Sequence, residues 1–139
     1  MTTQTNSFAS GQNPNLAATL LRLTNGILFV LHAGLKIFVF TLPGTVGFFE
    51  SLGLPGFMAY LIIAAELLGG LALIAGFKTR LVALGLIPIL LGALFMAHLA
   101  NGFFFMNEGG GWEFIALWIV ALLVQSMLGS GIYSVENRG

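Results

Sequence analysis

The chain contains no cysteine and very little charge. Without cysteine, a disulfide scaffold, a thiol redox centre and a cysteine-ligated zinc or iron–sulfur site are all excluded. Its 139 residues include five Lys or Arg and five Asp or Glu, so 7% are charged, whereas a typical soluble domain has about 25%. Five basic residues are too few to form a patch that displaces counterions from phosphates, so nucleic acid is not an expected partner.

Apolar residues dominate instead: 58% of the chain is hydrophobic and the mean hydropathy is +0.99. A helix needs about 20 predominantly apolar residues to cross the hydrocarbon core of a bilayer. Stretches of about this length run over residues 16–40, 55–76, 81–99 and 112–128. The sequence therefore predicts an all-α membrane protein whose four transmembrane helices form an antiparallel bundle, a single domain over residues 16–131.

The segments outside the spans predict the orientation of the bundle. Residues 1–15 are polar and uncharged and lack the basic start of a cleavable signal peptide, so we expect a disordered tail, with another short tail at residues 132–139. With four spans, both termini and the loop between spans two and three share one side, which carries Lys78, Arg80 and Arg138. The opposite loops contain no Lys or Arg, so both termini are predicted to be cytoplasmic.

Ionisable side chains inside the spans are the informative residues, because charge within the hydrocarbon core is costly and often functional. They are Arg22, His32, Lys36, Glu66 and His98, with Glu113 at the start of span four. In span one, Arg22, Asn25, Phe29, His32 and Lys36 follow steps of three and four residues, which places them on one helical face. Lipid would not tolerate this polar face, so we expect it to point into the bundle.

The depths of these residues predict their partners. Glu66 lies near the middle of span two, and Lys36 lies about 6 Å inside the non-cytoplasmic end of span one at about 1.5 Å per residue. Because side chains lean toward the N-terminus of their own helix, the two converge from antiparallel helices. We expect a Lys36–Glu66 ion pair with His32 beside it. Arg22 leans away from this pair and is expected to snorkel or to bond Gln125 and Asn25.

A second polar group is expected near the non-cytoplasmic ends of spans three and four. It contains His98, Asn101 and Glu113, which are predicted to complete one pocket with His32 and Lys36. Phe103, Phe104, Phe105, Trp112 and Phe114 surround its mouth, as an interfacial aromatic belt does. Structural roles stay open for each member: the ion pair would also fix helix register, and Arg22 would also anchor the chain.

The order of these residues resembles that of the DoxX family of small bacterial four-helix membrane proteins. The resemblance begins with Arg22 and His-Ala-Gly-Leu-Lys at residues 32–36 and extends from residue 20 to residue 136. It continues through Phe-Glu-Ser-Leu-Gly-Leu-Pro at 49–55, Glu-Leu-Leu-Gly-Gly at 66–70, Gly-Phe-Lys-Thr-Arg at 76–80, Ala-His at 97–98, Gly-Gly-Trp-Glu at 110–113 and Gly-Ser-Gly at 129–131.

The resemblance implies a protein of the bacterial inner membrane that is linked to redox chemistry. Members include a subunit of a thiosulfate:quinone oxidoreductase and proteins associated with catechol or quinone handling. Residues that match the family by position are Arg22, Gly34, Lys36, Glu66, Gly70, Gly76 and Arg80. Family members often end with an Asp after the last glycines, where this chain has Tyr133 to Glu136 instead.

The leading hypothesis is a quinone-interacting redox protein or a subunit of a quinone-linked oxidoreductase. Lys36, Glu66 and His32 are the candidate catalytic residues, because a quinone needs hydrogen-bond donors and a proton route. Arg22, His98, Asn101 and Glu113 are the candidate ligand-binding residues. Since no cofactor fingerprint is present in the sequence, the electrons would come from a partner subunit, a bound cofactor or a soluble reductant.

Three other functions remain open. His32 and His98 would serve as the axial ligands of a haem cytochrome, which is less favoured because their depths differ by about 9 Å. A mononuclear metal would use His32, Glu66, His98 and Glu113. The third is a non-enzymatic accessory or assembly subunit, or a small-solute pathway. Beyond the lipid bilayer, a redox partner subunit and a homo-oligomer are the partners considered.

Overall fold

The computed structural model describes residues 11–137, and all regular secondary structure in that range is helical. The predicted N-terminal tail therefore lies mostly outside the described residues, as does Arg138. The five α-helices are α1 (Pro14–Gly34), α2 (Leu42–Ser51), α3 (Met58–Ala75), α4 (Thr79–Ala93) and α5 (Glu113–Leu128). A π-helical turn, Leu35–Val39, extends α1, and a second, Leu94–His98, extends α4 into the 3-10 turn Leu99–Asn101.

Three of the apolar helical segments are long enough to cross a membrane, namely Pro14–Val39, Met58–Ala75 and Thr79–Asn101. They coincide with the first three predicted spans to within a few residues. The fourth, α5, is apolar but has 16 residues, which corresponds to about 24 Å. The all-helical architecture and three apolar spans are thus confirmed.

Local signals explain where the first helix begins and where an additional helix appears. Asn13 caps α1 by accepting a hydrogen bond from the Leu16 amide at 3.0 Å, and Pro14 follows at the first helical position. The Pro–Gly pair at residues 43–44 follows span one, where it is expected to stop the span. It also starts α2, because Thr41 Oγ1 accepts from the Gly44 amide at 3.2 Å.

The four long helices pack antiparallel in a ring. α1 packs against α3 and α5, and α4 closes the ring by packing against α5 and α3. The end of the bundle where α1 begins and α5 ends is called the basal end here, and the opposite end, with α2 and both π-helical turns, is the apical end. Eight buried apolar residues form the core: Phe29, Leu73, Ala83, Leu86, Leu90, Ile115, Trp118 and Leu122.

Glycine allows α1 and α3 to come unusually close. A Cβ atom on Gly26 would lie 2.7 Å from the Gly70 carbonyl oxygen, and one on Gly70 would lie 2.8 Å from the Gly26 carbonyl oxygen. Small residues are the usual means of close helix approach in membranes, where apolar surface alone provides no driving force between helices. This close contact fixes the register that brings the polar residues of α1 opposite those of α3.

Candidate functional site

A buried ion pair joins α1 and α3 in the apical half of the bundle. Lys36 Nζ lies 2.8 Å from Glu66 Oε1 and 3.2 Å from Glu66 Oε2. Glu66 is 3% exposed, and the Lys36 side chain is 21% exposed. The predicted ion pair is confirmed. Among the described residues, Lys36 is the sole side-chain partner of this carboxylate, although each carboxylate oxygen has two lone pairs.

The backbone that carries Lys36 departs from α-helical geometry. Lys36 belongs to the π-helical turn Leu35–Val39, in which the Phe40 amide donates to the Leu35 carbonyl oxygen at 3.0 Å. The buried Thr45 hydroxyl of α2 is shared between the carbonyl oxygens of Lys36 and Thr41, each at 2.9 Å. Single π-helical turns are frequent at functional sites. Helix α2 therefore anchors the turn that presents Lys36.

His32 lies one turn before Lys36 and faces α5. Its Nδ1 donates to the Leu28 carbonyl oxygen at 2.8 Å. Since a carbonyl only accepts hydrogen bonds, the proton of the neutral ring is on Nδ1 and Nε2 carries a free lone pair. The imidazole packs on the indole of Trp118, with ring centroids 4.8 Å apart. His32 thus presents a proton acceptor at the α1–α5 contact.

The remaining apical candidates gather around the loop before α5. His98 Nδ1 donates to the Gly110 carbonyl oxygen at 2.9 Å, and Asn101 Nδ2 donates to the same oxygen at 2.9 Å and to the Ala97 carbonyl oxygen at 3.1 Å. The half-buried Glu113 shares a groove with His98, whose other lining residues include Phe105 and Phe114. Asn101 therefore braces the loop, while His98 and Glu113 face the groove.

The apical residues form two polar groups rather than the single predicted pocket. Within residues 11–137, no hydrogen bond or ion pair joins Lys36, Glu66 or His32 to His98, Asn101 or Glu113. The metal hypothesis also fails, because no three His, Asp or Glu side chains in this range converge as metal ligands would. Each group has a ring that packs on Trp118: His32 belongs to the first group, and Phe114 lines the groove of the second.

Arg22 is at the basal end, and its predicted partners are wrong. It is 0% exposed, so it does not snorkel. All five of its N–H groups donate to backbone carbonyl oxygens. Nε donates to Ser130 at 2.9 Å, Nη1 to Leu73 and Ile74 at 2.9 and 2.7 Å, and Nη2 to Ile132 and Tyr133 at 3.0 and 2.9 Å. The lean of the side chain correctly predicted its direction. Its acceptors are two carbonyl oxygens in the last turn of α3 and three in the chain after α5, which folds back over the basal end.

Between these regions the polar stripe of α1 points into the bundle, as predicted. Asn25 is buried, and its Nδ2 lies 3.4 Å from Gln125 Oε1. Gln125 in turn donates to the carbonyl oxygens of Ala18 and Gly129 at 3.0 and 2.9 Å. The polar groups of the stripe therefore find their hydrogen-bond partners on different elements. Asn25 bonds to α5, Arg22 bonds largely to the C-terminal segment, and Lys36 pairs with Glu66 of α3.

Sequence reasoning missed two residues that shape the site, Trp118 and Thr45. An aromatic residue within an apolar span resembles ordinary core, but an indole also carries an N–H that needs a partner when buried. Thr45 lay in a segment interpreted as a loop. The signal that could have identified its role is Thr41–Pro43, a helix cap followed by a proline in the first turn.

Known proteins resemble the chain along most of its length. The sequence profile of the DoxX family matches residues 17–99. The chain is 36% identical over 121 residues to the Bacillus subtilis (strain 168) protein named "Putative oxidoreductase CatD", covering 87% of this chain and 85% of that one. It is 31% identical over 131 residues to "Inner membrane protein YqjF" of Escherichia coli (strain K12), covering 88% and 92%. No solved structure matches the chain.

Proposed function

The chain belongs to the DoxX family of membrane proteins, and we propose that it is a quinone-interacting redox protein, or a subunit of one, in the bacterial inner membrane. One relative is named as an oxidoreductase and the other as an inner membrane protein, and these names support a redox role and a location in the inner membrane. The substrate class, however, is argued from the apical site.

The Lys36–Glu66 pair is the observation that carries the proposal. Placing two charged side chains within a bilayer costs free energy, and apolar residues of similar volume at the same positions would often stabilise the bundle equally well. Stability alone therefore gives little reason for an ion pair here. Two of the three Lys36 N–H groups are accounted for by the two Glu66 oxygens. The third is available to donate to a ligand oxygen, and the partial exposure of Lys36 gives a ligand access to it.

Each residue then has a distinct task toward a quinone headgroup. Lys36 donates a hydrogen bond to a carbonyl oxygen, while Glu66 keeps the ammonium in place. His32 holds or accepts a proton at Nε2, because its Nδ1 proton is engaged by Leu28. A bound quinone supplies the two-electron, two-proton chemistry, with a partner subunit as the source of electrons.

His98 and Glu113 are assigned to the mouth of the site rather than to its polar centre, because they face the apical groove. Asn101 positions this loop through Gly110. Arg22 is left out of the ligand site, because its five donors are all engaged at the basal end.

We further propose that α5 is a fourth transmembrane span and that the basal end is cytoplasmic. Its outward face exposes apolar side chains to the surroundings, among them Leu117, Val120 and Met127, which is expected for a lipid-facing surface. The short α5 would be accommodated by local thinning of the bilayer. Lys78 and Arg80 lie at the basal end, which fits the excess of basic residues in cytoplasmic loops.

The absence of cysteine makes this topology directly testable, since each introduced cysteine is the single thiol. In spheroplasts, a membrane-impermeant maleimide should label Glu108→Cys in the apical loop without permeabilisation. Lys78→Cys should react only after the membrane is permeabilised. The reverse pattern would overturn the orientation, and labelling of both from one side would overturn α4, which lies between them, as a span. Val135→Cys, at an exposed position beyond α5, should react only after permeabilisation. Its labelling from the same side as Glu108→Cys would overturn the fourth span.

The functional experiment measures quinone binding to the purified protein in nanodiscs. Binding of decylubiquinone is followed by quenching of tryptophan fluorescence in wild type, Lys36→Met and Glu66→Gln. The Lys36→Met variant loses one charge-assisted hydrogen bond, worth about 1.5–3 kcal/mol, so its affinity for the quinone should be about tenfold or more below that of wild type. Lys78→Met, the same change at an exposed basal lysine, is the matched control and should bind as wild type does.

The outcomes separate the hypotheses. Equal affinity of wild type and Lys36→Met, or absence of quinone binding, would overturn the proposal. If the single variants instead lose only stability, and removing both charges restores it, the pair is structural and an accessory role is favoured. A dithionite-sensitive Soret band in the same preparation would replace the quinone by a haem on His32 and His98.

A further inference from the structure

A buried hydrogen-bond donor near the proposed site has no partner. Trp118 is 4% exposed, and its Nε1 is among the two buried side-chain polar atoms of the described residues that make no hydrogen bond. The other, Thr79 Oγ1, is on α4 at the basal end. A buried donor without an acceptor is costly, and the indole N–H of a buried tryptophan usually has one. The Trp118 N–H is therefore available to an acceptor that the described side chains do not supply.

The surroundings of Trp118 indicate what that acceptor is. Three rings pack on the indole: Phe29, His32 and Phe114, with centroid distances of 4.4, 4.8 and 5.7 Å. Among these rings, only His32 carries polar atoms, and its Nε2 is a free acceptor because Nδ1 donates to Leu28. A donor and an acceptor thus lie on adjoining rings at the α1–α5 contact.

We propose that Trp118 and His32 together bind a hydroxyl oxygen. The indole N–H donates to that oxygen, and its O–H donates to His32 Nε2, so one group satisfies both. The hydroxyl belongs either to a phenolic ligand or to a water molecule, and the phenolic case rests on the proposed function. A carbonyl oxygen accepts from Trp118 but has no proton for His32. The site therefore favours a hydroquinone over the corresponding quinone.

The test observes the indole N–H directly. The chain has two tryptophans, so Trp112→Phe leaves Trp118 as the single indole. In the ¹⁵N-tryptophan-labelled Trp112→Phe protein, the indole N–H resonance is recorded before and after addition of decylubiquinol or decylubiquinone. We expect a downfield shift with the quinol that exceeds the shift with the quinone.

Two substitutions add an affinity readout. Trp118→Phe keeps an aromatic ring but removes the N–H, and should weaken quinol binding about two- to tenfold, the effect of one neutral hydrogen bond. His32→Phe should abolish the preference for quinol over quinone. Trp112→Phe alone is the matched control and should leave quinol affinity unchanged. If Trp118→Phe does not fold, the resonance still decides the question.

The outcomes also distinguish this inference from the proposed function. A hydrogen-bonded indole shift before any addition, with exchange cross-peaks to water, would identify water as the source of the hydroxyl and support the site. A resonance that stays at the unbonded position while a quinol binds in a Lys36-dependent manner would overturn the inference and leave the proposed function standing. If no quinol binds, the proposed function fails, and the inference stands only if water is detected at the indole.

Discussion

Two cations of the first span, the buried Arg22 and the partly exposed Lys36, are satisfied in opposite ways. Arg22 donates all five N–H groups to backbone carbonyl oxygens, and no carboxylate lies within ion-pair distance of it in residues 11–137. Lys36 instead faces a single carboxylate, whose remaining lone pairs have no donor among the described side chains. The proposed roles, a structural one for Arg22 and a ligand-binding one for Lys36, depend on this difference in unused hydrogen-bonding capacity.

The two ends also differ in what their backbone does. At the basal end Gly76 ends α3 in a left-handed conformation with φ of 77°, and a Cβ there would collide with Ser134 of the C-terminal segment. Thr19 Oγ1 fixes the same segment by accepting from the Ile132 amide at 2.8 Å. At the apical end, the two helices that finish there, α1 and α4, both do so in π-helical turns. The basal end is therefore held together by contacts with the backbone of the C-terminal segment, whereas at the apical end the backbone departs from α-helical geometry near the candidate side chains.

The largest expected effect comes from Arg22→Lys, which keeps the charge but loses the planar array of donors. A lysine has three donors and cannot reach five carbonyl oxygens on two segments. We expect a loss of about 3–5 kcal/mol of stability, since several buried carbonyl groups lose their partners. Thermal unfolding in detergent measures it, with Lys36→Arg as the matched change at the other cation. A melting temperature equal to that of wild type would mean that the contacts at the basal end need only the positive charge of residue 22 and not its five donors.

An intermediate effect is expected from the Lys36–Glu66 pair. Lys36→Met alone should cost about 1–3 kcal/mol, because Glu66 is left buried without its partner. The double variant Lys36→Met/Glu66→Gln should return to within about 1 kcal/mol of wild type while quinone binding stays lost. The same unfolding assay and the quinone titration check both parts. A double variant that regains stability and also binds quinone as wild type does would assign the pair a purely structural role.

The smallest effect is expected from Thr45→Val, which preserves shape but removes the hydroxyl that holds the π-helical turn. Two carbonyl oxygens, those of Lys36 and Thr41, lose a shared donor, so we expect a loss of about 1 kcal/mol. Quinone affinity should fall by less than in Lys36→Met, because Lys36 is displaced rather than removed. Thr24→Val, at an exposed hydroxyl that bonds within α1, is the control. Unchanged affinity would show that α2 does not position Lys36.

Much of the fold could be predicted because hydrophobic length and side-chain periodicity are local properties. The spans, the inward-facing stripe of α1 and the Lys36–Glu66 pair follow from counting residues and from the lean of side chains on antiparallel helices. The start of α2 was missed because a Pro–Gly pair both ends one helix and starts another. The hydrogen bond from the Gly44 amide to Thr41 Oγ1 shows that here the pair also starts a helix.

The partners of Arg22 and the environment of Trp118 were beyond sequence reasoning for a different reason. Backbone carbonyl groups carry no sequence signature, so no pattern could show that residues 130–133 surround a guanidinium. Likewise, Trp118 resembles a core residue until the absence of an acceptor near its N–H is seen in three dimensions.

By itself, the sequence determined that this is a helical membrane protein with few charged residues inside its spans, because burial in lipid restricts where ten charged residues can lie. It also determined which face of α1 points inward, since a 3.6-residue period leaves no alternative. Only the tertiary structure decided which interior polar groups are satisfied and which keep free hydrogen-bonding capacity. That depends on atoms brought together from distant parts of the chain, and the groups with free capacity are the ones available to a ligand.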